Sequence, residues 1–370
     1  MKVNRLELRN YRNYGELNLT FEDGINIFLG ANAQGKTNIA EAIYYASLAR
    51  SHRTNQDSEL ISWNANEALI KVVFSRRDVE NQLRFNLTRG ARKKIFLNEA
   101  PIKNKELVGT LNTVLFSPED LFLIKGAPSQ RRRFLDGEIS QASPAYYSEL
   151  TKYNRLILQR NNLLKKIRER KARRDMVSVW DEQIAESAAK ITTKRIEATA
   201  KLNMLANLIE RRISANVENL AISYEIKGKG AENMTNDLAS WYNEMLAKNI
   251  DEDILRGATS LGPHHDDLVL EVNGINLRSY GSQGQQRTGV LALKLAELEF
   301  IRSETGEYPV LLLDDVMSEL DATRRRELMH FISRERIQTI VTATDEAYFP
   351  FEKVGAFFDV ASGQVTRRKS

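Results

Sequence analysis

Residues Gly30-Ala31-Asn32-Ala33-Gln34-Gly35-Lys36-Thr37 match G-x-x-x-x-G-K-[ST] in full, directly after the apolar run Ile25–Leu29 and before a helical stretch at 38–49. A glycine-rich turn between a buried strand and a helix aims its backbone N–H groups at one point. The helix dipole adds positive potential there, so the geometry suits phosphates. The pattern predicts that Gly30 to Thr37 cradle a nucleotide. Lys36 reaches its β- and γ-phosphates, and the Thr37 hydroxyl ligates Mg²⁺.

A second run, Val310-Leu311-Leu312-Leu313, ends in Asp314 and Asp315. A buried strand that stops at carboxylates suits a metal at the C-terminal edge of a sheet, beside the phosphate loop. Asp314 is expected to hold Mg²⁺ through water, and Asp315 to orient or deprotonate the attacking water. Together the two signals indicate an ATPase or GTPase. Between them, Tyr280-Gly281-Ser282-Gln283-Gly284 opens a helix. Ser282 at the N-cap with Gly284 two residues on makes either a plain capped helix or a second anion site, fitted to the nucleotide of another subunit. Ser318 to Asp321 is a capping signal or an interface loop.

The rest of the chain reads as an α/β head in two sequence halves, interrupted by helices. Short β-type runs at 69–74, 83–87 and 94–97 predict an antiparallel patch. After about Phe122 the period changes: Tyr146, Leu150, Tyr153, Ile157, Leu164 and Ile167 form one stripe, and Trp180 through Ile213 a second. The polar stretch 170–175 between them marks the tip of a helical hairpin, with arms of roughly 40–50 Å at 1.5 Å per residue. Beyond Gly257 the β/α alternation resumes, with a hairpin at Asn273-Gly274, helices at 285–303 and 322–334, and a strand at 338–342. The expected division is a head from 1–122 and 258–370, with a helical lobe at 123–257.

Charge is concentrated in the lobe. Residues 129–174 carry 13 basic and 4 acidic side chains, a local +9 in a chain whose formal net charge is +5. A directed patch of this kind suits the phosphate backbone of a nucleic acid. Its candidates are Arg131, Arg132 and Arg133, with Lys165, Lys166, Arg170, Arg173 and Arg174 at the tip; the competing reading is a solvated helix face. Nothing resembles a zinc finger, a helix-turn-helix or an RNP motif, so contacts to the backbone and not to base sequence are expected. The chain has no cysteine, no apolar run near the ~18 residues that span a bilayer and no secretory leader, which points to the cytoplasm and away from membranes.

The phosphate loop, the Ser282 signature, the Asp-terminated strand and Ser318-Glu-Leu-Asp321, in that order, resemble the ABC-type ATPase heads of the SMC-like group. The resemblance narrows to the RecF family through Leu8-Arg-Asn-Tyr-Arg-Asn-Tyr14, Ser51-His-Arg-Thr54, Phe116-Ser-Pro-Glu-Asp120, Arg131-Arg-Arg-Phe-Leu-Asp136 and Gly262-Pro-His-His-Asp-Asp267. It implies an ABC-type P-loop head, a mixed sheet with helices plus the antiparallel patch, carrying an inserted helical-hairpin lobe. It further implies a slow ATPase with ATP and Mg²⁺ as cofactors, which forms an ATP-dependent homodimer on double-stranded and gapped DNA. Ser282 would meet the γ-phosphate across that dimer, and RecO and RecR would be partners in assisting RecA loading. An SMC-like bridging protein and a transport ATPase are the alternatives; short arms oppose the first, and the basic tip opposes the second.

Some positions depart from the ABC pattern. Asp315 stands where most ABC ATPases have Glu, which suits slow hydrolysis. Ser117 to Asp120 fill the place of a glutamine loop, and Thr342 or Thr344 the place of the switch histidine. His265 stands where RecF-like sequences usually carry Arg. His264 to Asp267 read as a turn before a strand, with a metal cluster or a nucleotide contact as the competitors. His52 and Arg53 are candidates for phosphate or interface contact, and Arg12 for the flank of the adenine.

Overall fold

The computed structural model describes residues 1–230, 237–349 and 355–368. Two compact units form, one from 1–120 with 293–370 and the other from 121–292. Residues 258–292, expected in the head, fall in the second unit because their strand Asp267–Val272 pairs antiparallel with Leu220–Glu225.

The first unit contains two six-stranded sheets. One runs in the order Gln364–Arg367, Ala356–Ala361, Ile25–Leu29, Thr339–Ala343, Val310–Asp314 and Thr113–Phe116, parallel except for its first strand. The strands 25–29, 310–314 and 339–343 are buried at every position, in keeping with their largely apolar sequences and with parallel strands covered on both faces. The other sheet is antiparallel and includes Lys2–Tyr11, Glu67–Arg76 and Val79–Thr88. Its strands alternate between buried and partly exposed positions, the pattern of a sheet with one face on a core.

The helix Lys36–Leu48 lies between the two sheets. Ile39, Ala42, Ile43 and Ala46 share one core with Leu8, Ile70 and Phe85 of the antiparallel sheet and with Phe28, Leu312 and Ile340 of the parallel one. Small residues at 42 and 46 let the helix sit close to its neighbours. The phosphate loop is thereby anchored at both ends, by a buried strand before it and a buried helix after it.

In the second unit the hairpin arms are Pro144–Arg168 and Ser178–Ile213. At 1.5 Å per residue they span roughly 37 and 54 Å, one shorter and one longer than expected. Their seam is not a purely apolar coiled-coil stripe. In the gap between Ile157 and Leu164 sits Arg160, fully buried and on the same face as Leu156 and Leu164. Its Nε donates to Asp181 Oδ1 (2.6 Å), and its Nη1 donates to Asp253 Oδ2 (2.6 Å) and Thr259 Oγ1 (2.9 Å). One guanidinium therefore ties both arms to the segment after Asn249. A second, Arg195, joins Asp136 (2.9 Å) to Tyr224 (3.1 Å). Buried ions of this kind fix register, because any shift strands a charge away from water.

His264 to Asp266 form a turn that leads into the strand beginning at Asp267. Gly262 takes φ 138°, His265 N–H donates to the Gly262 carbonyl, and both imidazole Nε2 atoms face the Thr259 carbonyl at 3.3 and 3.0 Å. Among the described residues no group of three or more His, Asp or Glu side chains is placed to hold a metal.

Two outcomes are expected. Replacing Arg160 with Ala leaves Asp181 and Asp253 buried without their counter-ion, and urea unfolding should show a loss of about 3–5 kcal/mol; a loss below ~1 kcal/mol contradicts this account. Burial, reinforced by His265, lowers His264 from 6.5 to about 3. Between those values the unfolded chain binds a proton that the folded chain does not, so stability falls as pH drops from 6.5 toward 3. Denaturant midpoints across that window should decline, and His264→Gln should flatten the decline.

Candidate nucleotide site

The phosphate loop is held by contacts from distant parts of the first unit. Gly35 adopts φ 116°, a conformation open to glycine, and a Cβ there would lie 2.7 Å from Asn13 Nδ2 and from the Tyr14 hydroxyl. Gly30 passes so close to the neighbouring strand that a Cβ would stand 2.2 Å from the Val360 carbonyl oxygen. Tyr14 donates to the Gly35 carbonyl (3.1 Å), and Asn13 Nδ2 donates to that of Gln34 (2.9 Å). The Gln34 side chain accepts from Ser362 N–H at 2.6 Å. Ala31, Asn32 and Ala33 complete the curve, with Ala33 at φ 65°.

Lys36 folds back over this loop, its Nζ donating to the carbonyls of Gly30 (2.6 Å) and Ala31 (2.8 Å). Burial lowers its pKa, against the pull of Asp315 and Asp314. The Thr37 hydroxyl donates to Asp314 Oδ1 at 2.9 Å, across 277 residues of sequence. A hydroxyl and a carboxylate side by side are hard oxygen donors, the set Mg²⁺ prefers, and that ion needs only one or two protein ligands beside phosphates and water. Asp315 follows in the left-handed region (φ 55°), and burial raises its carboxyl, partly countered by Lys36. The site thus combines a glycine-rich turn, a lysine ammonium, a hydroxyl and carboxylate side by side and a carboxyl of raised proton affinity.

Beside the loop opens a cleft of about 500 Å³ lined by Arg12, Asn13, Asn38, Arg53, Trp63 and Arg89, among others. Sequence reasoning pointed to Arg12 and Arg53 but missed what holds them. Glu41, fully buried on the phosphate-loop helix, accepts two bonds from Arg12 (2.9 and 2.7 Å), one from Ser51 (2.6 Å) and a longer one from Arg53 (3.5 Å). Burial works against its ionisation, yet these hydrogen bonds and charges hold its pKa below the usual range. The indole of Trp63, 96% exposed, stands at the rim.

Ser282 begins the helix Gln283–Thr305 with a reciprocal cap. Its Oγ accepts from Gln285 N–H (3.2 Å), and its own N–H donates to Gln285 Oε1 (3.0 Å). Ser282 and Gly284 are both exposed. Asp321 caps the helix Ala322–Glu335, accepting from Arg324 N–H at 2.9 Å, whereas Ser318 Oγ donates back to the Asp315 carbonyl at 2.8 Å. Asp120 accepts from Ser117 N–H (2.7 Å), and burial raises its carboxyl.

The basic candidates divide. Arg131 is not on a solvated face: it is 3% exposed, pairs twice with Asp267 at 2.8 Å and bonds the carbonyls of Leu123, Ile124 and Gly126. The helix beginning at Pro128 turns position 131 inward with Leu135, so this arginine is removed from the list of DNA contacts. Arg132 donates to the Asp266 carbonyl (2.7 Å). Arg133, Lys165, Lys166 and Arg170 are exposed; Arg173 and Arg174 are also exposed but paired with Asp175 and Asp251.

A parallel strand carrying a phosphate loop, a second strand ending in two carboxylates and a capped Ser-x-Gly helix define an ATPase head of the ABC and SMC class. Residues 2–365 match the RecF/RecN/SMC N terminal domain. The chain is 45% identical to the DNA replication and repair protein RecF of Halothermothrix orenii over 100% of both chains. With that of Bacillus subtilis it shares 43% identity over 93% of each. A solved structure of the recombination mediator protein RecF with ATP superposes with a TM-score of 0.90, at 35% identity over 100% of this chain and 98% of the other. An Smc head bound to the C-winged helix domain of ScpA matches at a TM-score of 0.58 and 17% identity, a likeness of fold. The chain belongs to the RecF family.

Gly30→Ala should fold but lose ATP affinity by about tenfold or more, because a Cβ at that position meets a backbone carbonyl that cannot rotate away. Titration with a fluorescent ATP analogue checks it, and unchanged affinity would contradict the tight approach.

Proposed function

We propose that the protein is an ATP-driven DNA clamp of recombinational repair and replication restart. The observation that carries this reading is the Thr37–Asp314 hydrogen bond, which joins the phosphate loop to the metal carboxylate at one sheet edge. Lys36 leaves its two carbonyls for the β- and γ-phosphates. Thr37 and, through water, Asp314 would hold Mg²⁺, which would supply neutralisation of the phosphate charge. Asp315 orients the attacking water and accepts its proton, helped by the raised affinity that burial gives its carboxyl. Being one methylene shorter than Glu, it reaches less far toward that water, which suits slow hydrolysis and a switch-like use of ATP.

The exposed Ser282 helix start supports a second role. Its exposed N-terminus, with the Ser282 hydroxyl and Gly284, suits the γ-phosphate held by another copy of the chain, so ATP joins two heads. The joined heads grip double-stranded DNA near gaps or double-strand/single-strand junctions, with Arg133, Lys165, Lys166 and Arg170 as the leading phosphate contacts, and hydrolysis releases them. RecO and RecR are the partners this reading assigns, in the loading of RecA, and nucleoid DNA is the place of action.

Sedimentation in the apo, ADP and ATP states, with and without a short duplex, tests the proposal. A monomer that dimerises only with ATP, and more readily on duplex, is expected. Ser282→Arg should keep ATP binding and remain monomeric. A mass indifferent to nucleotide would sink the cross-subunit role.

A further inference from the structure

The strand Thr339–Ala343 lies between the phosphate-loop strand and the carboxylate strand and pairs in parallel with both. Thr342, fully buried, is the residue of that strand paired with Asp314. Its Oγ1 lies 2.7 Å from Asp314 Oδ1 and 3.0 Å from the N–H of Asp315. A hydroxyl has one proton to give, and the carboxylate takes it; a lone pair on the same oxygen accepts the Asp315 N–H. The Thr342 carbonyl accepts that same N–H at 3.2 Å. One side chain therefore fixes the rotamer of Asp314 and, through the backbone, the left-handed turn at Asp315 (φ 55°) that sets the direction of its carboxyl.

We infer that Thr342 is a positioning residue of the hydrolytic centre. The inference rests on the ATP-hydrolysis reading and deepens it. Asp314 Oδ1 accepts two hydroxyls, from Thr342 and Thr37. A cation takes a lone pair of the Thr37 oxygen, and the Thr37 proton is then shared between Asp314 and nearby water. Thr342, fully buried beneath the carboxylates and bonded on both sides, holds the same carboxylate oxygen whichever way the Thr37 proton turns. Thr342 thereby keeps Asp314 and Asp315 in fixed relation. It also separates the two threonines considered for the switch position: Thr342 is engaged beneath the carboxylates, whereas Thr344 is exposed beyond the end of the strand.

Full-length Thr342→Val, Thr342→Ser and Thr342→Ala variants test this, with ATP turnover titrated against Mg²⁺ and fluorescent-ATP affinity measured with and without Mg²⁺. Thr342→Val keeps the branched shape and loses the hydroxyl. It should leave metal-free affinity within about twofold, raise the Mg²⁺ needed for half-maximal turnover by about tenfold and lower kcat by about tenfold, the scale of one hydrogen bond to a charged group. Thr342→Ser should behave as the unchanged protein. Thr342→Ala takes the place of the valine variant if that one does not fold. Unchanged Mg²⁺ requirement and kcat in the hydroxyl-free variant, or a serine variant as impaired as the valine one, would overturn the assignment. If the unchanged protein binds ATP but does not turn it over, the hydrolytic reading fails separately. The Mg²⁺ dependence of binding then decides on Thr342: a tenfold shift in the valine variant supports it, and none overturns it.

Discussion

The parallel pairing of Ile25–Leu29, Thr339–Ala343 and Val310–Asp314 governs the nucleotide site. In this register Phe28 faces Thr342, and Thr342 faces Asp314, so the phosphate loop and the carboxylates leave the sheet at the same edge. Side chains alternate faces along a strand, so a slip by one residue would turn Asp314 and Thr342 to the opposite face and put apolar neighbours in their place. Burial on both faces makes that slip expensive. The chemistry of the site thus rests on a mostly apolar pairing, in which Thr342 and Asp314 are the polar residues brought side by side at the edge.

What lies beyond the sheet edge is held by a different kind of force. Glu41 is a carboxylate taken out of water and surrounded by Arg12, Ser51 and Arg53. Arg160 and Arg195 do the same in the second unit with opposite sign. Each of these buried ions adds little net stability compared with an apolar replacement, because desolvation offsets the attraction. Their effect is directional. The two guanidiniums beside the phosphate loop are aimed, and the two in the helical unit lock segments far apart in sequence.

Motifs that are contiguous or end a strand could be read from the chain. Lys36, Thr37 and Asp314 fall where the strand–loop–helix pattern and the Asp-terminated strand put them, and Ser282 takes the N-cap position expected of it, though sequence reasoning missed its partner Gln285. Residues whose roles depend on partners distant in sequence could not be read. Glu41 is one polar residue in a helix, and its meaning comes from Arg12, 29 positions earlier. Arg131 looks like part of a solvated basic run because its partner, Asp267, is 136 residues away. Arg160 hides in a gap of the apolar period, where a missing hydrophobe is read as a lapse in the stripe and not as an ion. Composition located the basic segment, but helix phase decided which of its arginines face solvent.

The brace on the phosphate loop has a consequence for synthesis. Gln34 is held by Ser362, 328 residues later, and Gly30 lies against Val360. The loop leaves the ribosome early, whereas the turn that steadies it is among the last parts of the unit to arrive. Such long-range contacts form late in folding, after the loop-closure entropy has been met. A nascent chain therefore carries a phosphate loop without its clamp, and capture of a nucleotide waits on the emergence of residues 360–362.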